Sequence, residues 1–233
     1  MATTGQTRAE ERAGKVHVME EILIFIKHNF RFIWSFIERV NGTLFNLFYK
    51  KKLEQILPVV LEECKTPLFT YKELTFVDIY SLHKLICQQP EKDLEFFRPH
   101  GFDLSSLKKQ LTNSSFLMMG AFEGGKLVGY FFLRFFANRK CFVGRLIDKD
   151  YRGKGIGSIM NDIMYETAWR MGFRCLSTIS RNNTAVMRAH AKNPTMIVLK
   201  ELPNDYLLVE FVREAKCTEL RAKRGTISDQ GAE

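Results

Sequence analysis

The stretch DKDYRGKGIGS, residues 148–158, sets Gly153, Gly155 and Gly157 at alternate positions, with Arg152 and Lys154 among them. Backbone without Cβ atoms lets several amide N–H groups close on one ligand. Apolar residues then recur at Ile156, Ile159, Met160, Ile163, Met164, Ala168 and Met171, a helical period. The loop therefore opens a helix near Gly157, and helix N-termini carry partial positive charge. Amides, a helix start and two cations favour an anion, above all a phosphate. A Walker-type loop requires Lys followed by Ser or Thr, but Gly155 follows Lys154. A dinucleotide fingerprint, G-x-G-x-x-G, fails at Ser158 when started from Gly153 and at Met160 when started from Gly155. What remains is R-x-x-G-x-G over residues 152–157.

Such a loop needs a strand to deliver it and a sheet to hold that strand. KCFVGRLIDKD, just upstream, has strand character. Before it, SFLMMGAFEGGKLVGYFFLRFF forms a hairpin about Glu123, Gly124 and Gly125. After the helix, which Gly172 closes, come the strand FRCLSTIS, a short helix in NNTAVMRAHAKN stopped by Pro194, and the strands TMIVLKEL and DYLLVEFV. LFTYKELTF begins the series as a strand. FVDIYSLHKLICQQ follows as a helix with Val77, Ile79, Leu82, Leu85 and Ile86 on one side, then a helix capped at Asp103 or Ser105. The fold class is α/β (α+β). Residues 1–17 are a polar tail expected to be disordered, 18–65 a helical N-terminal extension with a turn at Asn41–Gly42, 66–212 the main domain, and 213–233 a polar, flexible tail.

YRGKGIG, the strand GRLID before it, LSTIS after the helix, and NNTA opening the next helix together resemble the GNAT superfamily of N-acetyltransferases. The resemblance spans residues 66–212. It implies a central mixed, mostly antiparallel sheet flanked by helices, acetyl-CoA as acyl donor and no metal. It implies that Arg152, Gly153, Lys154, Gly155, Ile156, Gly157 and Ser158 cradle the pyrophosphate, mainly through backbone amides, so that Arg152 is partly structural. Pantetheine would run along Leu146 and Ile147 through backbone groups, with an N–H near Ile147 polarising the thioester carbonyl. Asn183 and Ala185 of NNTA complete the donor site, although Asn183 is a good helix cap in any case. Seven residues after Asn183, where the family commonly carries a tyrosine that protonates the departing thiolate, this chain has His190. Histidine can serve as an acid near neutral pH, or simply sit as a polar residue on a surface helix. Pro194 and Thr195 also replace the family's usual Gly-Phe. For the base that accepts the amine proton, Asp148 and His100 of FFRPHGFD are the leading candidates, ahead of Glu123, Ser177 and Ser180.

A formal net charge of +9 favours anionic partners without choosing among them. Lys and Arg are dispersed and no nucleic-acid motif occurs, so no nucleic-acid partner is expected. The acceptor is an amine-bearing small molecule, with an anionic amino sugar or sugar nucleotide ahead of cationic polyamines. The five cysteines, Cys64, Cys87, Cys141, Cys175 and Cys217, show no metal or paired spacing, which fits reduced thiols in a cytoplasmic setting. Cys141 and Cys175 lie in strands and read as core. Residues 18–60 mix Phe, Ile and Trp with Lys and Arg, open to packing on the domain, a homodimer contact or a membrane surface. The alternative to an enzyme is a catalytically weak acyl-CoA-binding scaffold docked through those helices.

Overall fold

The computed structural model describes residues 31–191, 193 and 195–213. The expected tails (but for Arg213), most of the helix expected over 18–40, and Cys217 lie outside the described residues. The described chain falls into two units divided between Thr43 and Leu44. Residues 31–43 belong to the first and are helical. They are part of α1 (Arg31–Phe48), which continues through Asn41 and Gly42 without the expected turn. A glycine inside a helix costs only about 1 kcal/mol, too little to force a break.

The second unit is built on a seven-stranded sheet: β1 (Thr70–Glu73), β2 (Phe116–Glu123), β3 (Lys126–Phe136), β4 (Lys140–Ile147), β5 (Arg174–Ser180), β6 (Met196–Leu202) and β7 (Tyr206–Phe211). The spatial order is β1-β2-β3-β4-β5-β7-β6. All neighbours are antiparallel except β4 and β5. The helices are α2 (Lys50–Glu63), α3 (Ile79–Cys87), α4 (Glu91–Leu94), α5 (Leu104–Leu111), α6 (Ile156–Met171) and α7 (Thr184–Ala191).

Period-two alternation divides the core. Leu117, Met119 and Ala121 of β2, Phe131, Leu133 and Phe135 of β3, and Cys141 and Val143 of β4 face one side. There they meet Leu53, Leu57 and Val60 of α2 and Ile156, Met160, Ile163 and Met164 of α6. Met118, Phe122, Tyr130, Phe132 and Leu146 face the other side, against Ile79, Leu82, Leu85 and Ile86 of α3 and Leu107 of α5. The compact unit thus starts at Leu44 rather than near 66, because α2 supplies core. Val77, expected among the buried residues of α3, is 87% exposed. A 3-10 turn over Phe76–Asp78, fixed by reciprocal Thr75–Asp78 capping, precedes α3 and shifts the helical phase there.

Two turns match their sequence signals. Gly124 and Gly125 both adopt positive φ in the β2–β3 hairpin. Asp103 caps α5, its carboxylate accepting from the Ser106 N–H at 2.9 Å.

Candidate active site

β4 and β5 pair only over Lys140–Arg174, Cys141–Cys175 and Phe142–Leu176, although β4 runs on to Ile147 and β5 to Ser180. The sheet is split from there on. Ser177 bridges the start of the gap by donating to the Val143 carbonyl at 3.0 Å. That bond shows which way Val143 points. By strand alternation the backbone groups of Arg145 and Ile147 face the gap too, while those of Leu146 face β3. The Leu146 side chain is buried in the second cluster.

The glycine loop stands at the mouth of this split. Gly153 and Gly155 have φ near +80°, the left-handed region that a side chain disfavours. Gly157 is there for space instead. A Cβ at Gly157 would lie 3.0 Å from Ile147 Cδ1 and 3.1 Å from Arg145 Nε. α6 starts at Ile156, one residue earlier than expected, with Gly155 as its cap. Its first bonded amide is Ser158 N–H, which donates to the Gly155 carbonyl. Among the described residues, none of the N–H groups from Gly153 to Gly157 donates a backbone hydrogen bond. Five consecutive amides are therefore available for an oxyanion at a helix N-terminus.

The loop's own cations are largely committed. Arg152 pairs with Asp93 at 2.9 Å, reaches Gln89 Oε1, and donates to the Ile147 carbonyl. It ties the strand end to the α3–α4 connection, a structural role. Lys154 rests on the Tyr151 ring, its Nζ 4.3 Å from the centroid, and Lys126 lies over the same ring. Asp148 is buried, with one carboxylate oxygen accepting the Asp150 N–H at 3.2 Å and the other 3.8 Å from Lys126 Nζ. It caps the turn that launches the loop.

Beyond the loop, a cavity of about 800 Å³ runs between α6 and α7. Gly157, Ser158, Asn161 and Tyr165 line one wall, and Ala189, Asn193 and Thr195 another. Arg145 enters it from β4, beneath the first turn of α6, and donates from Nη1 to Asn161 Oδ1. Asn183 caps α7, its Oδ1 accepting the Val186 N–H at 3.1 Å, while Ala185 is exposed on that helix.

His190 does not lie at the surface. It is 5% exposed, its ring centroid 5.3 Å from that of Phe211, with Asn193 Nδ2 3.4 Å from Nδ1. Burial, aided by the nearby Arg145 cation, pushes its pKa down to about 4. The ring is neutral at pH 7, so it holds no imidazolium proton for a leaving thiolate. His100 lies on the other face of the sheet. Its Nδ1 is 2.8 Å from the Gly101 carbonyl, so it carries the proton, and Nε2 accepts from the Tyr130 hydroxyl at 2.7 Å. Burial lowers its pKa as well, and both nitrogens are occupied. The structure brings together the glycine loop, Ile147 and Ser158. It leaves Asp148, His100 and His190 in separate environments, His100 engaged at both ring nitrogens and His190 contacted at Nδ1 by Asn193.

The sequence from 76 to 193, half of the chain, matches the model of the acetyltransferase (GNAT) family. The chain belongs to the GNAT acetyltransferase family. It is by that membership an acyltransferase. Solved structures show the same GNAT fold. The GNAT domain of S. lividans PAT is 14% identical with a TM-score of 0.53, covering 60% of this chain and 88% of its own. The PaiA N-acetyltransferase of Thermoplasma acidophilum, in complex with coenzyme A, is 19% identical with a TM-score of 0.52, covering 62% and 99%. YncA of Salmonella typhimurium, solved with acetyl-CoA, is 15% identical with a TM-score of 0.50, covering 63% and 94%. No curated protein matches the chain.

Among the described residues no cluster of His, Cys, Asp or Glu is arranged to hold a metal, and no helix is long and apolar enough to cross a membrane. The described cysteines are unpaired, and Cys141 and Cys175 are buried in the core as expected. The side chain of Arg145 was not among the expected site residues. A signal for it was present: Cys141, Val143, Arg145 and Ile147 share one strand face, and a cation at an inward position calls for a reason.

Proposed function

We propose that this GNAT acetyltransferase transfers an acetyl group from acetyl-CoA to a primary amine by direct attack on the thioester. The observation that carries it is the run of five unbonded amides, Gly153 to Gly157, at the mouth of the β4–β5 split. The residues fit the donor. The amides suit a pyrophosphate, and the backbone edge at Arg145 and Ile147, which β5 leaves without a strand partner, suits an amide-bearing arm lying beside it as an extra strand. The N–H groups of that edge would polarise the thioester carbonyl. Ser158 lies next to the cradle, and Asn183 supports it by fixing α7.

The geometry favours catalysis by placement over catalysis by a strong acid or base. His190 is neutral, His100 is engaged at both nitrogens, and Asp148 is consumed in capping. The amine proton then leaves through water, and the thiolate is protonated from solvent after departure. The acceptor is best taken as an amino sugar or sugar nucleotide, in keeping with the excess of positive charge.

The test is calorimetric titration with CoA, followed by acetyl-CoA turnover against amino sugars, sugar nucleotides, polyamines and peptides. Micromolar CoA binding and acceptor-dependent release of free thiol are expected. Absence of CoA binding by the folded protein sinks the proposal. Tight binding with no turnover on any amine favours a scaffold that holds acyl-CoA, a reading supported by the engagement of His100 and Asp148 in internal hydrogen bonds.

A further inference from the structure

We propose that Arg145 supplies the positive charge of the phosphate site, from inside the fold rather than from the loop. The inference rests on the reading of the glycine loop as a CoA cradle and adds to it a side chain outside the R-x-x-G-x-G motif. The motif presents two cations, and both are diverted. Arg152 is neutralised by Asp93 and spends further donors on Gln89 and the Ile147 carbonyl. Lys154 is exposed, where solvent screens its charge, and leans on Tyr151.

Arg145 is differently placed. Its Nε and Nη2 lie 3.1 and 3.7 Å from where a Gly157 Cβ would stand, so the guanidinium is packed against the first turn of α6. Gly157 contributes one of the five free amides. Among the described residues the guanidinium meets no carboxylate and has one hydrogen-bond partner, Asn161. A guanidinium has five N–H donors and stays charged in proteins, so most of its capacity faces the cavity. The other charged residues on that cavity are Asp162, Glu166 and Arg213. Glu166 is paired with Arg170 and Arg213. Partial burial strengthens a contact with an anion beyond what an exposed lysine gives.

A side chain at this position has two simpler uses, and each predicts a different pattern. If Arg145 only holds α6 through Asn161, its loss costs stability and weakens all ligands alike. If it touches the uncharged arm of the donor, its loss weakens CoA and pantetheine equally. A phosphate contact weakens CoA and 3′,5′-ADP but leaves pantetheine unchanged.

The experiment titrates wild type, Arg145→Gln, Arg145→Lys and Asn161→Ala with CoA, 3′,5′-ADP and pantetheine, with urea midpoints alongside. Arg145→Gln is expected to weaken CoA and 3′,5′-ADP by roughly 10- to 100-fold, the loss of one or two charge-assisted hydrogen bonds. Pantetheine should stay within about twofold of wild type. Arg145→Lys keeps the charge and should fall between; it also serves if the glutamine variant fails to fold. Asn161→Ala keeps the guanidinium and should bind CoA nearly as wild type. Equal weakening of CoA and pantetheine, or unchanged CoA affinity in Arg145→Gln, overturns the assignment while the cradle stands. Failure of wild type to bind CoA removes the underlying reading instead.

Discussion

Replacing Gly155 with alanine separates backbone strain from ligand binding. Gly155 caps α6 at φ 80° and ψ −10°, and nothing lies within 4 Å of where its Cβ would be. The folded state therefore pays only for a left-handed alanine, about 1–2 kcal/mol. Gly172 ends the same helix at φ 83°, and its Cβ would meet only Lys52 Nζ, at 3.9 Å. Gly172→Ala thus carries matched strain about 24 Å away, taking 1.5 Å per residue along the 16 residues of α6. In urea titrations both variants should lose about 1–2 kcal/mol. In CoA titrations they should part. Relaxation of residue 155 out of the left-handed region turns the amides of Gly155 and Ile156 away from a common point. Two charge-assisted hydrogen bonds at about 1.5 kcal/mol each correspond to roughly 100-fold in affinity. Gly172→Ala should bind CoA as wild type does. Equal affinities in the two variants, at matched loss of stability, would refute the cradle.

Removing residues 1–60 deletes Phe45, Leu53, Leu57 and Val60, all buried in the main core. At about 1.5–3 kcal/mol per side chain the loss is roughly 6–12 kcal/mol, as large as the whole stability of a typical domain. The remainder should show no cooperative thermal transition, whereas removal of 1–43 should leave one; a sharp, wild-type-like melt of the shorter fragment contradicts the packing of α2. His190 has its pKa depressed to about 4, so it favours the fold above its ordinary value of 6.5 and that contribution fades as pH falls toward 4. Between pH 7 and 5 wild type should lose about 1–2 kcal/mol that His190→Gln does not, allowing for partial solvent screening; parallel pH profiles would show that the ring is not held neutral. Tyr130→Phe leaves His100 Nε2 without its donor, and urea denaturation should register about 1–3 kcal/mol; a neutral substitution would mean that His100 is free to serve as a base.

The geometry of the glycine loop was legible because it is made of backbone. Glycine spacing and the helical period that follows need no knowledge of tertiary contacts, and the loop lies where they put it. The division of labour among the glycines was not legible: positive φ at Gly153 and Gly155, and close approach at Gly157, are set by Ile147 and Arg145 folding beneath the helix. The surroundings of the histidines were not legible for a related reason. His190 looked like an exposed or active-site residue on a short helix, but whether a helix face is wet depends on what packs against it, here Phe211 of β7. His100 finds Tyr130 thirty residues away across a layer boundary. What the helix over 50–63 packs against was not legible, because an amphipathic helix reads the same whether its apolar face meets its own sheet, a partner or lipid.

Phase along β4 carries information that motif matching does not use. Cys141 and Val143 are core residues, and Arg145 and Ile147 follow at the same parity on the same face. An arginine so placed must find a carboxylate, reach solvent or border a space that takes an anion. Among the described residues it meets no carboxylate, and it borders a cavity beside free amides. On the proposed reading the glycines of the motif suit a phosphate, and the strand phase adds a partly buried cation that suits negative charge. These signals come from different atoms of one short segment, and they converge on the same ligand chemistry.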